Sequence, residues 1–322
     1  MSATIATSAW IACIRDEYLN GFIRDGGASI KFAVPLDAAS RELTIAAVRS
    51  EAAMAGYLFA SLRAEEIRIH LIDQVCFRIA AQIDWNALTK RVIERTAEKA
   101  GYRSVPAPSG RSLFEDIAQA SDIDPKVVLM EMRQRLTAEV FKRRALSKDF
   151  RVAMFQLCMA TLTGEPVGAV EALTEWLTGR NSTIAAVKPY FIFNRIGRAN
   201  ARHLLESLFH WVRFAGLPGL VILVDIARFD VAKNPKDEHV YYTKAAVLDG
   251  YEVFRQFVDA TDRLTGCLMI VVPDANFVDE GNARGISAYA ALKLRIFDEV
   301  HDRRLVNPMG CLVRVQDASA TS

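Results

Sequence analysis

A chain of 322 residues, 51% hydrophobic and 24% charged, can bury a large core and has the balance of an ordinary globular protein. Its formal net charge of +2 excludes a global field that would steer it to nucleic acid or membrane, so any basic surface must be local. Apolar runs such as Gly219–Val224 and Cys267–Val272 are too short to span a bilayer, and no basic segment followed by an apolar run reads as a signal peptide, so a cytoplasmic location is expected.

The first helix is expected over Ala9–Phe22, closed by Arg24-Asp25-Gly26-Gly27. A β-rich run, Ser29–Val34, gives the first strand, and eight residues of loop, Pro35–Glu42, lead to a helix over about Ser40–Ala55. Leu43, Ala46, Ala47 and Met54 mark the apolar face of that helix, and Gly56 its exit. A second strand follows at Tyr57–Ser61, then helices over Ala64–Ile83 and Asn86–Ala100. Gly101–Gly110, with Pro106 and Pro108, is the clearest linker. Helical patterns then cover Arg111–Ala120, Pro125 to about Ser147 (capped by Asp124), Phe150–Leu162 and Pro166–Leu177.

After Gly179-Arg180-Asn181-Ser182 a helix is expected over Ile192–Phe214, with Tyr190, Phe191 and Phe193 in the core. Leu220–Asp225 reads as a buried parallel strand ending in a carboxylate. The helix Lys244–Arg263, the strand Cys267–Val272, a helix at about Ala288–Val300 and a last strand Cys311–Val315 complete the pattern, before a loose tail at Asp317–Ser322.

Five short strands separated by helices imply an α/β fold: a mainly parallel, doubly wound, P-loop NTPase-like sheet with an inserted all-helical subdomain. The division expected is a first part of the core at 1–100, a helical insertion at 101–183 and a second part of the core at 184–322. Ligands of such sheets sit at the carboxyl ends of the strands, which here means Pro35–Glu42, Asp225–Phe229 and Pro273–Phe277.

A phosphate-binding loop at the first junction would read GxxxxGK[ST], because glycines let backbone N–H groups wrap a phosphate while Lys and Ser/Thr serve phosphate and magnesium. Pro35-Leu36-Asp37-Ala38-Ala39-Ser40-Arg41-Glu42 has no glycine and no lysine. No hydrolase pattern of the G-x-S-x-G or H-E-x-x-H kind occurs. The five cysteines, Cys13, Cys76, Cys158, Cys267 and Cys311, are scattered without C-x-x-C, and the histidines show no ligand spacing. No disulfide and no metal is expected, and Cys76, Cys158 and Cys267 read as buried packing residues.

Three segments resemble the bacterial BREX-system ATP-binding domain family. Gly26-Gly27-Ala28-Ser29-Ile30-Lys31-Phe32 is similar to its "GG-small-x-x-K" entry to the P-loop. Gly216–Asp225 is similar to its "G-x-x-GLVLLVDE" Walker B strand. Leu268–Leu292, with Asp274, Phe277, Gly285, Ser287 and Tyr289, is similar to its "GTPEFF…RG-x-x-SY-x-AL" segment, with Arg295 and Asn307-Pro308 also in place. The resemblance implies a P-loop ATPase related to the AAA+ class, encoded beside bacterial antiphage-defence genes.

The departures from the family pattern bear on function. Arg41 stands at the lysine position and Glu42 at the Thr position, Pro35 removes a backbone donor, and Ala38 and Ser40 resist the positive φ that glycines supply. Asp225 keeps the Walker B metal carboxylate, but Ile226 replaces the base, and losing base, metal hydroxyl and lysine together should abolish hydrolysis.

Plainer roles are open for each residue. Asp225 would cap a loop or pair with an arginine; Arg41 would be solvated or pair with Glu42 or Asp37; Asp274, at a polar sensor position, would shape a turn; Arg284 and Arg295, at positions resembling intersubunit arginines, would lie at the surface or form a salt bridge. Two basic clusters could meet nucleic acid: Lys142, Arg143 and Arg144 with Lys148 and Arg151, and Arg195, Arg198 and Arg202, spaced as one helical stripe. No aromatic ladder accompanies either on this reading.

The expectation is thus a catalytically silent P-loop protein with no cofactor, acting as a scaffold or regulatory subunit of a defence complex. Its partner would be an ATPase paralogue or a nuclease of the same locus, with DNA and an oligomer left open. The alternatives are an ATPase using atypical residues with ATP and Mg, and a DNA-binding module using the basic clusters.

Overall fold

The computed structural model describes residues 4–103, 111–181, 183–297 and 306–317. In chain order the elements begin with β1 (Ile5–Ala6), α1 (Thr7–Cys13) continued by a π-helical stretch (Ile14–Phe22), β2 (Ala28–Pro35), α2 (Ala38–Met54), β3 (Leu58–Arg63) and α3 (Ile72–Ala80). Then come α4 (Trp85–Lys99), α5 (Leu113–Ser121), α6 (Pro125–Leu136), α7 (Lys148–Thr163), α8 (Ala169–Thr178) and α9 (Ala201–Phe214). The chain continues through β4 (Leu220–Asp225), α10 (Lys244–Val258), β5 (Cys267–Val272), α11 (Ala290–Ile296) and β6 (Leu312–Gln316).

These elements form two compact units, Met1–Ile79 with Leu217–Ser322, and Ala80–Gly216. The helical unit is therefore wider than the insertion expected at 101–183. α4 belongs to it because its apolar face (Trp85, Leu88, Val92 and Ile93) is buried and packs on α6 and α7. α9 belongs to it through Trp211, whose ring meets Phe150 of α7, which in turn meets Trp85.

The other unit is a six-stranded sheet in the order β1-β6-β2-β5-β4-β3, with every pair parallel. The five expected strands are all present, and the short β1 adds an edge. Strands buried on both faces explain the unbroken apolar runs of β4 and β5. One face (Ala33, Val221, Leu223, Leu268, Ile270, Val272, Val313 and Val315) is covered by α1, its π-helical continuation and α2. On the opposite face Phe32 meets Phe254 of α10 edge-on and stacks on Phe277. Gly219, in the Walker B-like motif, has a packing reason to be glycine: a Cβ there would lie 2.1 Å from the Gly266 carbonyl at the start of β5.

Several expected boundaries move, for identifiable reasons. The face of α2 turned to the core is Ser40, Thr44, Val48 and Ala52, while Leu43 and Met54 are exposed. Small residues allow close approach to the sheet, and the Thr44 hydroxyl is satisfied by the Ser40 carbonyl one turn back. The helix expected from Ala64 starts only at Ile72, because the Tyr242 hydroxyl takes the Ile69 N–H and donates to the Ile67 carbonyl.

The helix expected from Ile192 starts at Ala201. Asn200 holds the preceding chain in turns, accepting from the Gly197 N–H and donating to the Arg195 carbonyl. The helix expected to reach Ser147 stops being α-helical at Leu136 and passes through a π turn, Thr137–Phe141. Most of the Gly101–Gly110 linker, the end of the helix expected to reach Val300, and the tail after Asp317 lie outside the described residues.

Candidate functional site

The candidate site lies where β2, β4 and β5 end. β2 continues through Pro35, which is in register with Val315 of β6, and the Leu36 N–H is donated to the Val315 carbonyl. Asp37 then caps α2, its carboxylate accepting the Ser40 N–H at 2.7 Å, which holds it below the usual carboxylate range. The crossover between strand and helix is therefore only Leu36-Asp37, not the eight residues expected. None of the residues from Pro35 to Glu42 has a positive φ. No backbone concavity of the kind that wraps a phosphate forms here.

The first turn of α2 instead places a side chain across the strand ends. The Arg41 guanidinium donates through Nη1 to the Asp225 carboxylate at 2.8 Å and to the Val272 carbonyl at 3.4 Å. Through Nη2 it donates to the Pro273 carbonyl at 2.7 Å, with an Asp274 carboxylate oxygen 3.9 Å away. Arg41 and Asp225 are only 13% and 15% exposed. The fork of an arginine suits this geometry, since it can hold a carboxylate and a carbonyl at the same time. Asp225 also accepts the Ala227 N–H at 2.9 Å. Burial pushes the Asp225 carboxyl above its ordinary range, opposed by Arg41, by the Ala227 N–H and by Arg63.

The other expected site residues take simple parts. Ile226 is buried at the turn after β4, its N–H donated to the Val272 carbonyl. Glu42 and Ala38 face solvent. Ser40 is fully buried and its hydroxyl accepts the Asp317 N–H. Asp274 caps the short helical turn Ala275–Val278, accepting the Asn276 N–H, so the turn role holds. The structure thus brings together Arg41, Asp225 and Asp274, while the partners expected for Arg41, Glu42 and Asp37, are not those it takes.

Beside this pair a cavity of about 10 Å³ is lined by Ile226, Asp230, Pro273, Asp274 and Arg284, room for about one water. The residues present do not form a cradle for a triphosphate and magnesium: the strand–helix turn is closed, and the Walker B carboxylate is spent on a guanidinium. A polar network that the sequence did not reveal flanks the cavity. Asp230 accepts from the side-chain amides of Asn276 and Asn282.

Arg284, expected at the surface, is buried and donates to the Phe229, Ala232 and Tyr242 carbonyls, pinning the loop that follows β4. Arg295 pairs with Asp259, as a salt-bridge role requires.

The expected nucleic-acid contacts divide. Lys142 and Arg144 are exposed. Arg143 lies over the Phe214 ring at 4.2 Å and donates to the Glu139 carbonyl, and burial lowers its pKa. The stripe of Arg195, Arg198 and Arg202 does not exist as a helical face, because only Arg202 is on α9, where it pairs with Glu206 at 3.4 Å. Tyr190 is half-buried, and Phe191 and Phe193, expected in the core, are 67% and 63% exposed.

The model of the family described as BREX system ATP-binding protein BrxC/D matches residues 114–322, which carry the helical unit from α5 onward, β4 with Asp225, β5 and β6. Residues 4–113, including β2, the crossover and Arg41, lie outside the matched segment. No curated protein and no solved structure matches the chain. Among the described residues no helix is long and apolar enough to cross a membrane.

Proposed function

Because the chain belongs to the BREX system ATP-binding protein BrxC/D family, we propose that it serves a BREX antiphage-defence system as a catalytically silent member, a pseudo-ATPase that acts through protein partners. One observation carries this reading: the Arg41 guanidinium sits on Asp225 and on the Pro273 carbonyl, so an internal cation replaces the external magnesium and phosphate at the strand ends. Phosphoryl transfer depends on positioning and on charge neutralisation by metal and lysine, and Ile226 supplies no group to orient a water. A chain that retains the sheet but has closed its crossover keeps a rigid body to which another subunit can dock. An active ATPase or a nuclease encoded in the same locus fits as that subunit.

Two measurements test the proposal on the full chain. Calorimetric titration with ATP and Mg²⁺ should give no binding heat, and phosphate release should stay at the buffer rate. Purification with the products of the neighbouring genes should retain one of them stoichiometrically. Micromolar ATP affinity with phosphate release would replace this reading by that of an ATPase with atypical residues.

A further inference from the structure

The loop joining α8 to α9 displays what a folded chain normally hides. Phe191 and Phe193, 67% and 63% exposed, stand on either side of Ile192, which is fully buried. Exposed aromatics paired in this way call for an occupant. The loop that carries them is held from below. Val187 is buried and its carbonyl accepts the Tyr190 and Ile192 N–H groups. The Trp176 indole N–H is donated to the Asn194 carbonyl, and the Asn194 amide to Asp149.

Phe191 itself caps the turn Lys188–Tyr190 with φ +64, a left-handed conformation that glycine or asparagine normally supplies. An aromatic residue held in that strained conformation is a feature that accumulates at ligand clamps. Along this stretch of chain the charge has a single sign, since from Arg180 through Lys188, Arg195 and Arg198 to Arg202 there is no Asp or Glu; the Asp149 carboxylate that reaches the loop is taken by the Asn194 amide, and Lys188, Arg195 and Arg198 are exposed.

We propose that this loop is a binding site for single-stranded DNA, in which Phe191 and Phe193 stack on successive bases while Lys188, Arg195 and Arg198 meet the phosphates. Two residues of chain separate the ring-bearing positions by at most about 7 Å, a spacing that neighbouring bases of an extended strand can match. Stacking on exposed phenyl faces next to cations is the chemistry by which single strands are held without sequence preference. A single strand supplies a phosphate beside every base, which matches the order of cation, ring, ring and cation along this loop. The side-chain amide of Asn194, next to Phe193, is committed to Asp149 and does not read a 2′-hydroxyl, which fits DNA. The inference does not depend on whether the strand–helix crossover of the sheet binds nucleotide.

The test is fluorescence anisotropy of labelled oligo-dT titrated with the full chain. Binding should weaken with salt with a log–log slope of about −2, as expected for three phosphate contacts on a single strand. Phe191→Ala and Phe193→Ala should each weaken it about 5- to 150-fold. Lys188→Glu with Arg198→Glu should weaken it and flatten the slope. Phe191→Gly keeps the fold separate from the function: it should bind as poorly as Phe191→Ala while unfolding at the same or a higher temperature. The proposal is overturned if oligo-dT is not bound, if the phenylalanine variants bind like the parent, if blunt duplex competes equally, if oligo-rU binds more tightly, or if the rings prove to hold a partner protein and no oligonucleotide.

Discussion

At the carboxyl ends of the strands, a cation that could have met a ligand is drawn inward: Arg41 is 13% exposed and engages Asp225, Val272 and Pro273. In the loop between α8 and α9 the reverse holds. Phe191 and Phe193, residues that sequence patterning assigns to a core, are displayed beside Lys188, Arg195 and Arg198. At the strand ends polar groups satisfy one another, whereas a loop that no motif announces displays aromatic and cationic side chains to solvent.

The largest expected effect would break the first half of that comparison. Asp225→Ala leaves a nearly buried guanidinium with only the more distant Asp274 carboxylate, 3.9 Å away, and should destabilise the sheet unit by about 3 kcal/mol, read as a lowered urea midpoint with an unchanged slope. Changing both partners, Arg41→Met with Asp225→Leu, should recover most of that loss, because the penalty lies in the uncompensated charge more than in the absence of the pair. If Asp225→Ala costs less than about 0.5 kcal/mol, the pair does not hold the strand ends together.

Next in size is Arg284→Leu, which strips charged donors from the Phe229, Ala232 and Tyr242 carbonyls. It should cost about 2 kcal/mol and raise amide exchange in residues 229–242. Exchange confined to the parent rate would mean that the loop is held by its aromatic contacts alone.

Phe191→Gly acts in the opposite direction. Releasing the left-handed conformation should stabilise the helical unit by up to about 1 kcal/mol in thermal melts. A clear destabilisation would mean that the ring packs where it was thought to be displayed.

The smallest effect is a pH slope. Burial raises the Asp225 carboxyl in the folded chain above its unfolded value. Its contribution is therefore fully present below the unfolded pKa and is lost as pH rises through the folded one. Comparing Asp225→Asn with the parent from about pH 4, the ordinary aspartate value, upward should show the parent losing ground as pH rises. A parent that gains ground instead would mean that the Arg41 attraction outweighs desolvation.

Much of the sheet was legible in the sequence because buried parallel strands write themselves as unbroken apolar runs, as in Leu220–Asp225 and Cys267–Val272. The missing glycines and lysine between Pro35 and Glu42 were equally plain. The partner of Arg41 was not. Asp225 lies far along the chain, separated by the whole helical unit, and sequence reasoning could offer only the near neighbours Asp37 and Glu42. The same limit hid Arg284, whose acceptors are backbone carbonyls that carry no residue signature.

What the amino-acid order determined by itself was local: the periodicities of strands and helices, the cap at Asp124, and the absence of a phosphate-wrapping loop. What only the tertiary structure decided was which side chains meet and which face water. Asn200 and Tyr242 each divert backbone hydrogen bonds from a helix that periodicity favours, and Phe191 and Phe193 are left exposed. Periodicity fixes which residues share a face, but the side on which that face finds a partner depends on contacts made across long stretches of chain, and those are set only when the whole core closes.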